Sequence, residues 1–341
     1  MNRAHRQPLQ LSSFLLSVFL LGACAKKPAD QASPGTGPAQ GPAPSKLTLQ
    51  LDWVAEPEHG GFYQAQARGF YRDAGLDVTI IPGGPGASVK EKIATGQADV
   101  GQADSTNTLG QIAEGLPLLM VGAVFQDDPS GLLVSAGSTV HTFEDLQGKT
   151  IIARPEWAFL GFIQKKYGVT FNLVPQNFSV AAFLGDQEAI QQGYSIAEPY
   201  HIVKAGGQAP RFLSTWDAGF RAYAVLITGR KYAHDHPEAL RAFLRASARG
   251  WRDYLTGDPA PAHAALKAAN PDNTDEFMAA SRQLIIDNQL VTGRGPGSGP
   301  DQIGRLDPAR FQTQIEQLEA LGLLPKGKIK VDDVMTTAFL P

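Results

Sequence analysis

"LDWVAEPEHGGFYQAQARGFYRDAGLDV", Leu51 to Val78, is the stretch whose reading decides the fold. Trp53, His59, Phe62 and Tyr63 crowd its first dozen residues, and a regular helix and turn follow. Just before it, Leu47, Leu49 and Leu51 alternate with polar residues, the period of a half-buried strand. Phe62, Ala65 and Gly69 then recur at helical spacing, with Gly75 placed to stop the helix. A strand that ends in an aromatic and a histidine ahead of a helix is either an active site with His59 as base or the wall of a pocket.

The same alternation continues outward. "LDVTIIP", "ADVGQA" and "LLMVGAVF" read as strands, with helices at "SVKEKIATGQ" and "STNTLGQIAEGL" between them. "KTIIAR", "FNLVPQN", "YSIAEPY" and "YAVLITG" continue the strands, with helical "FLGFIQKKYG" and "SVAAFLGDQEAIQQG" interleaved. Such alternation specifies an α/β protein with a largely parallel sheet. Beyond "YAVLITG" the texture becomes helical. "HPEALRAFLRASARGWRDYLTG" sets Leu240, Phe243, Leu244, Ala248, Trp251 and Leu255 on one stripe, and three more helices follow. Two α/β units and a helical tail provide a cleft between units, with loops gathered at the strand ends.

The chain has 341 residues, enough for two domains and a sizeable core, and a formal charge of −3, which argues against nucleic acid as a partner. Arg3 and Arg6 precede the apolar run "LSSFLLSVFLLGA", a signal-peptide pattern too short to span comfortably. It ends in "LLGAC", where Cys24 is the only cysteine, so the chain has no disulfide and no cysteine-based metal site. The small residues before Cys24 resemble a bacterial lipoprotein box, which implies cleavage there and a lipid anchor on Cys24. Loss of residues 1–23 removes two arginines and no acid, taking the charge from −3 to −5. Residues 24–46, rich in Pro, Gly and Ala, read as a flexible tether.

Taken in order, "LDWVAEPEHGGFYQAQARGFY", "ATGQADVG", "EGLPLLMVGAVFQDDP", "EDLQGKTI" and "AEPY" resemble the substrate-binding lipoproteins of ABC importers. The resemblance is to their thiamin pyrimidine-precursor branch, which is related to the yeast hydroxymethylpyrimidine phosphate synthase. It implies a two-lobed, type II periplasmic-binding fold. Lobe 1 is expected at 47–127 plus 225–341, and lobe 2 at 128–224. It also implies a monomer outside the cytoplasm, a permease as partner, no cofactor and no catalysis. The implied ligand is a small planar heterocycle of pyrimidine type. In the synthase, the stretch matching "ADSTNTL" supplies a lysine for pyridoxal phosphate and a histidine consumed in the reaction. Here the matching positions are Ala103 and Asn107, which can do neither. The cysteine-rich motif of the synthase would fall near "DAGFRAYAVLIT", which has no cysteine.

The expected ligand-binding residues follow. Trp53 offers a stacking face at a strand end, with core packing as the alternative. His59 either hydrogen-bonds the ligand or holds its own loop, and Tyr63 belongs to the same wall. Asp104, Ser105 and Asn107 sit at a helix start, where ligand hydrogen bonds and capping both apply. Trp157, with Phe159, is expected to form the opposing aromatic face. Glu198, at a strand end, can accept from an aminopyrimidine, and Tyr200 lies beside it. His234 and His236 lack a third ligand, so no metal site is expected. An alkanesulfonate- or nitrate-type binder is the alternative and would want a cation such as Arg154 beside its anion. A pyrimidine-forming enzyme is the rival from another class.

Overall fold

The computed structural model describes residues 43–340; Cys24, the apolar leader and most of the tether lie outside them. The first strand, β1 (Ser45–Gln50), buries Leu47 and Leu49 and is followed by a single 3₁₀ turn, Pro57–His59. Helix α1 (Gly60–Ala67) ends earlier than Gly75. The chain breaks at Gly69, whose φ of +75° interrupts the helix, and resumes as α2 (Phe70–Asp73). Next come β2 (Leu76–Ile81), α3 (Val89–Ala94), β3 (Val100–Asp104), α4 (Ser105–Ala113) and β4 (Leu118–Phe125). All eight residues of β4 are buried, as expected of an inner layer covered on both faces.

The chain then builds a second sheet. Its elements are β5 (Ser130–Val134), β6 (Thr150–Ile152), α5 (Ala158–Tyr167), β7 (Asn172–Val174), α6 (Ala181–Leu184), β8 (Ile190–Tyr194), α7 (Glu198–Lys204) and β9 (Arg211–Ser214). It returns to the first sheet with β10 (Ala224–Gly229) and closes with helices. These are α8 (Arg230–Asp235), α9 (Pro237–Thr256), α10 (Ala260–Ala269), α11 (Asp275–Asp287), α12 (Pro308–Leu321) and α13 (Val331–Val334).

The strand orders are β2-β1-β3-β10-β4 and β7-β6-β8-β5-β9. Neither sheet is purely parallel. β10 runs antiparallel between β3 and β4, and β5 runs antiparallel between β8 and β9. The reason is topological. Both strands enter their sheet directly from the other one, at the strand ends that face it, so each must run against its neighbours. Sequence periodicity marks a strand but carries no sign of its direction.

One core, with Leu49, Phe62, Phe243 and Trp251, lies between the first sheet and helices α1 and α9. The crossing of these helices is close because glycines meet there. A Cβ on Gly61 would stand 2.2 Å from the Trp251 ring, and one on Gly250 2.2 Å from the Gly61 carbonyl oxygen. A second core runs from Ile93 and Met120 through Tyr223 and Phe311 to Ile151 and Leu160, so the two lobes share apolar packing. Among the described residues no helix is long and apolar enough to cross a membrane.

Candidate functional site

The site lies where segments leaving strand ends of the two sheets converge. After β1 the chain drops Asp52, Trp53, Glu56, Glu58 and His59 into this region. Trp53 is half-buried and meets Phe178 of the second lobe, ring centroids 5.0 Å apart and tilted by 52°. Phe178 has a φ of +61°, an unfavourable conformation for a residue with a side chain. Phe178, not Trp157, is thus the ring facing Trp53. Trp157 instead stacks on its near neighbour Phe159 at 6.0 Å, packed against the second core.

His59 is fully buried. The Glu56 N–H donates to its Nδ1 at 3.5 Å, and its own N–H donates to the Glu56 carbonyl at 2.9 Å, which closes the 3₁₀ turn. With Nδ1 an acceptor, the proton of the neutral ring sits on Nε2. That atom faces Asp52 Oδ1 at 3.4 Å and Glu58 Oε1 at 3.5 Å. One ligand atom each of Asp52, Glu58 and His59 lie within 4.8 Å of one another, close enough for a metal ion. A metal on Nε2 would force the ring proton onto Nδ1, against the Glu56 N–H. The loop geometry therefore favours a hydrogen-bonded carboxylate pair over a metal cage.

Acids dominate the surroundings. Burial holds the Glu58 carboxyl well above the usual range, and Asp52, Glu56, Glu198 and Asp128 add like-charge repulsion. Burial and then Glu198 push Glu56 up to about 7. Asp128, next to the crossing into β5, is buried and raised by burial, though its Oδ1 accepts the Ser130 N–H at 2.8 Å. Glu198 is raised by burial and accepts the Tyr194 N–H at 2.7 Å. It is the first residue of helix α7, not a strand end, because the strand is "IQQGY" and stops at Tyr194. The Tyr194 phenol is raised by burial and then by Asp128, Glu58, Asp52 and Asp104.

The remaining expected residues divide. Asp104 caps α4, accepting the Asn107 N–H at 2.7 Å and its Nδ2 at 3.2 Å, with Lys90 Nζ at 3.6 Å. Ser105 is fully buried; its Oγ donates to Gln314 at 2.6 Å and accepts the Tyr223 N–H at 3.0 Å. Those bonds tie α4 to α12 and to the chain before β10, leaving the hydroxyl no exposed surface for a ligand. Tyr63 belongs to the first core, where burial pushes its pKa to about 12. Tyr200 bridges the lobes: its hydroxyl meets Thr274 Oγ1 at 3.2 Å and its ring lies 5.2 Å from Phe277.

The sequence reading missed Asp52, Glu56 and Glu58 as a group, and also Phe178, Tyr194 and Asp128. Three acids within "DWVAEPEH", between a buried strand and a helix, were the available signal. Nothing in the sequence marks Phe178.

A two-lobed α/β body, each lobe built on its own five-stranded sheet, is the architecture of periplasmic binding proteins. The alkanesulfonate-binding protein SsuA from Xanthomonas axonopodis pv. citri, solved bound to MOPS, shares it. Its TM-score is 0.63 at 17% identity, covering 87% of this chain and 99% of that one. The chain itself belongs to the NMT1/THI5-like family, whose model matches residues 56–262. Among relatives, a Haemophilus influenzae protein named for thiamine biosynthesis is 26% identical over 84% of this chain and 90% of its own. A 4-amino-5-hydroxymethyl-2-methylpyrimidine phosphate synthase of Candida albicans is 26% identical over 69% of this chain and 76% of its own.

Proposed function

We propose that the chain is the extracytoplasmic solute receptor of an ABC importer, tethered to a membrane through Cys24, and that it captures a thiamin-type pyrimidine precursor by closing its two lobes. The observation that carries this reading is the set of buried acids beside the Trp53–Phe178 ring pair. Aromatic faces suit a flat ring, and carboxylates accept hydrogen bonds from its amino groups. Trp53 would stack on the ligand, with Glu198 and Asp104 as acceptors. His59 would orient Asp52 and Glu58 without touching the ligand itself. Tyr200 would help to hold the closed form, which a permease then engages.

The names of the relatives support a pyrimidine of the thiamin pathway. An alkanesulfonate of the kind that SsuA is named for would meet like charge here, because the cluster is acidic and Arg154 is paired with Glu156. The synthase reading is disfavoured at Ala103 and Asn107, which offer no primary amine and no imidazole. The test is to denature the purified protein and identify released ligand by mass spectrometry, followed by a thermal-shift panel of pyrimidines and alkanesulfonates. A ligand at about 100 times its Kd stabilises by about 2.7 kcal/mol. A shift with sulfonates alone overturns the ligand class, and turnover of a pyrimidine overturns the non-catalytic reading.

A further inference from the structure

Trp53 and Phe178 cannot share a flat ligand as the two rings stand. A planar ring held between two aromatic walls needs about 3.5 Å on each side, so the walls stand parallel and about 7 Å apart. The centroids of Trp53 and Phe178 are 5.0 Å apart and the rings are tilted by 52°. The two side chains fill each other's contact surface, and no third ring fits between them.

The surroundings of Phe178 suit its withdrawal. Phe178 is half-buried and, like Trp53, belongs to none of the apolar cores of the described residues. Its segment, 175–179, leads from β7 toward α6 and makes no backbone–backbone hydrogen bond among the described residues. Two glutamines tie it to β8. Gln176 Nε2 donates to the Gln192 carbonyl at 3.2 Å, and Gln191 Nε2 donates to the Ser179 carbonyl at 3.4 Å. Phe178 stands between these ties with a φ of +61°, so its backbone gains by turning back to an ordinary conformation. The second lobe also offers the ring a partner of its own. Arg154 Cζ lies 6.0 Å from the Phe178 centroid. Arg154 and Phe178 ride on the same lobe, so parting of the lobes breaks the contact with Trp53 and spares this one.

We propose that Phe178 is a gate on the Trp53 seat: its ring occupies the place where the ligand stacks, and the ligand displaces it on binding. This rests on the receptor reading, in which Trp53 stacks on the ligand. Phe178 then competes with every solute, and apparent affinity is lowered by the fraction of molecules in which Trp53 is covered. The competition also selects. A solute that packs on Trp53 better than a phenyl ring does opens the gate, and a small non-planar solute leaves it shut.

The experiment is titration of the full chain with 4-amino-5-hydroxymethyl-2-methylpyrimidine, by calorimetry for affinity and by stopped flow for rates. The parent is compared with Phe178→Ala and Phe178→Gly, the fold of each checked by circular dichroism. We expect both variants to bind about two- to tenfold more tightly, the worth of one aromatic pair. The gain should lie in faster association, with dissociation little changed. Adding Trp53→Ala to Phe178→Ala should abolish the gain, because a gate acts only through the seat it covers. Weaker binding of both variants through faster dissociation would make Phe178 a second wall of the site, which overturns the gate and leaves the receptor reading standing. Unchanged affinity, or an equal gain in the Trp53→Ala background, overturns the gate as well. Binding by neither the parent nor any variant overturns the ligand class and the gate together.

Discussion

Phe178 holds a backbone conformation that costs an ordinary side chain about 1–3 kcal/mol, and it does so against Trp53. Strain of that kind persists when neighbours over-determine it, and here the neighbour is the ring from the other lobe. Trp53 itself is only half-buried, so little of the first core depends on it. Trp53→Ala should therefore weaken ligand binding about tenfold or more, from a ring-pair term of about 1 kcal/mol plus lost contact area. Titration against the released ligand measures the loss, and circular dichroism should report an unchanged fold. Unfolding instead would assign Trp53 to the core. Glu58→Gln belongs to the same scale with the opposite sign for stability. It removes a buried carboxylate surrounded by like charge, so the ligand-free protein should melt higher above neutral pH. A thermal melt that fell by several degrees would show that Glu58 is compensated in a way the geometry does not contain. What the sequence showed of these residues was their type and their loop. It did not show which ring faces Trp53, because Phe178 is 125 positions away and meets it only through the fold. For Ser105 and Tyr63 the residue type fitted a binding role, while their burial depends on helices late in the chain.

The elements were easier to read, because their signals are local. Strand alternation and the stripe of α9 stand where periodicity puts them, and α4 starts at Ser105 as its end residues suggest, with the cap one residue earlier at Asp104. Two features escaped. Glu198 opens a helix because Pro199 fixes the backbone at its second position, a start signal that the neighbouring strand pattern hid. The pair Gly60–Gly61 gives no periodic signal, yet it decides how α1 lies on α9. A Cβ on Gly60 would stand 2.2 Å from the Tyr254 ring. Gly250→Ala, directed at the Gly61 carbonyl, should cost about 1–3 kcal/mol by overpacking. A urea titration should show this as a lower midpoint at unchanged slope. Stability equal to the parent would mean that the helices separate freely, and the close crossing would then carry no weight.

At the scale of the molecule, the acids make the ligand-free protein a stronger base than its unfolded chain. Glu56 is raised from the ordinary 4.5 to about 7, and Glu58, Glu198 and Asp128 are raised as well. Asp127, between the lobes, is raised to about 6 by burial despite Arg294 at 3.0 Å. Between the unfolded and folded values the folded state binds more protons. Its stability therefore falls as pH rises from about 4.5 to about 7. Melting temperature measured without ligand should decline across that window. A melt that rises steadily through the window would contradict the acid cluster as described. The two-lobed class was legible because alternating strands and helices leave few other architectures. The charge balance was not, since it sums acids from three separate segments.

The insertion of β10 between β3 and β4 has a consequence for how the chain is made. By the time the ribosome has delivered β4, the first sheet has all its strands except the one that joins them. β3 and β4 then wait with open edges for some hundred residues, while the second sheet, contiguous in sequence, is synthesised and can assemble. A chain interrupted before Ala224 would carry two unpaired, largely apolar strand edges, the template for edge-to-edge aggregation. Completion of the first lobe, and of the acid cluster that depends on it, is thus reserved for a nearly full-length nascent chain.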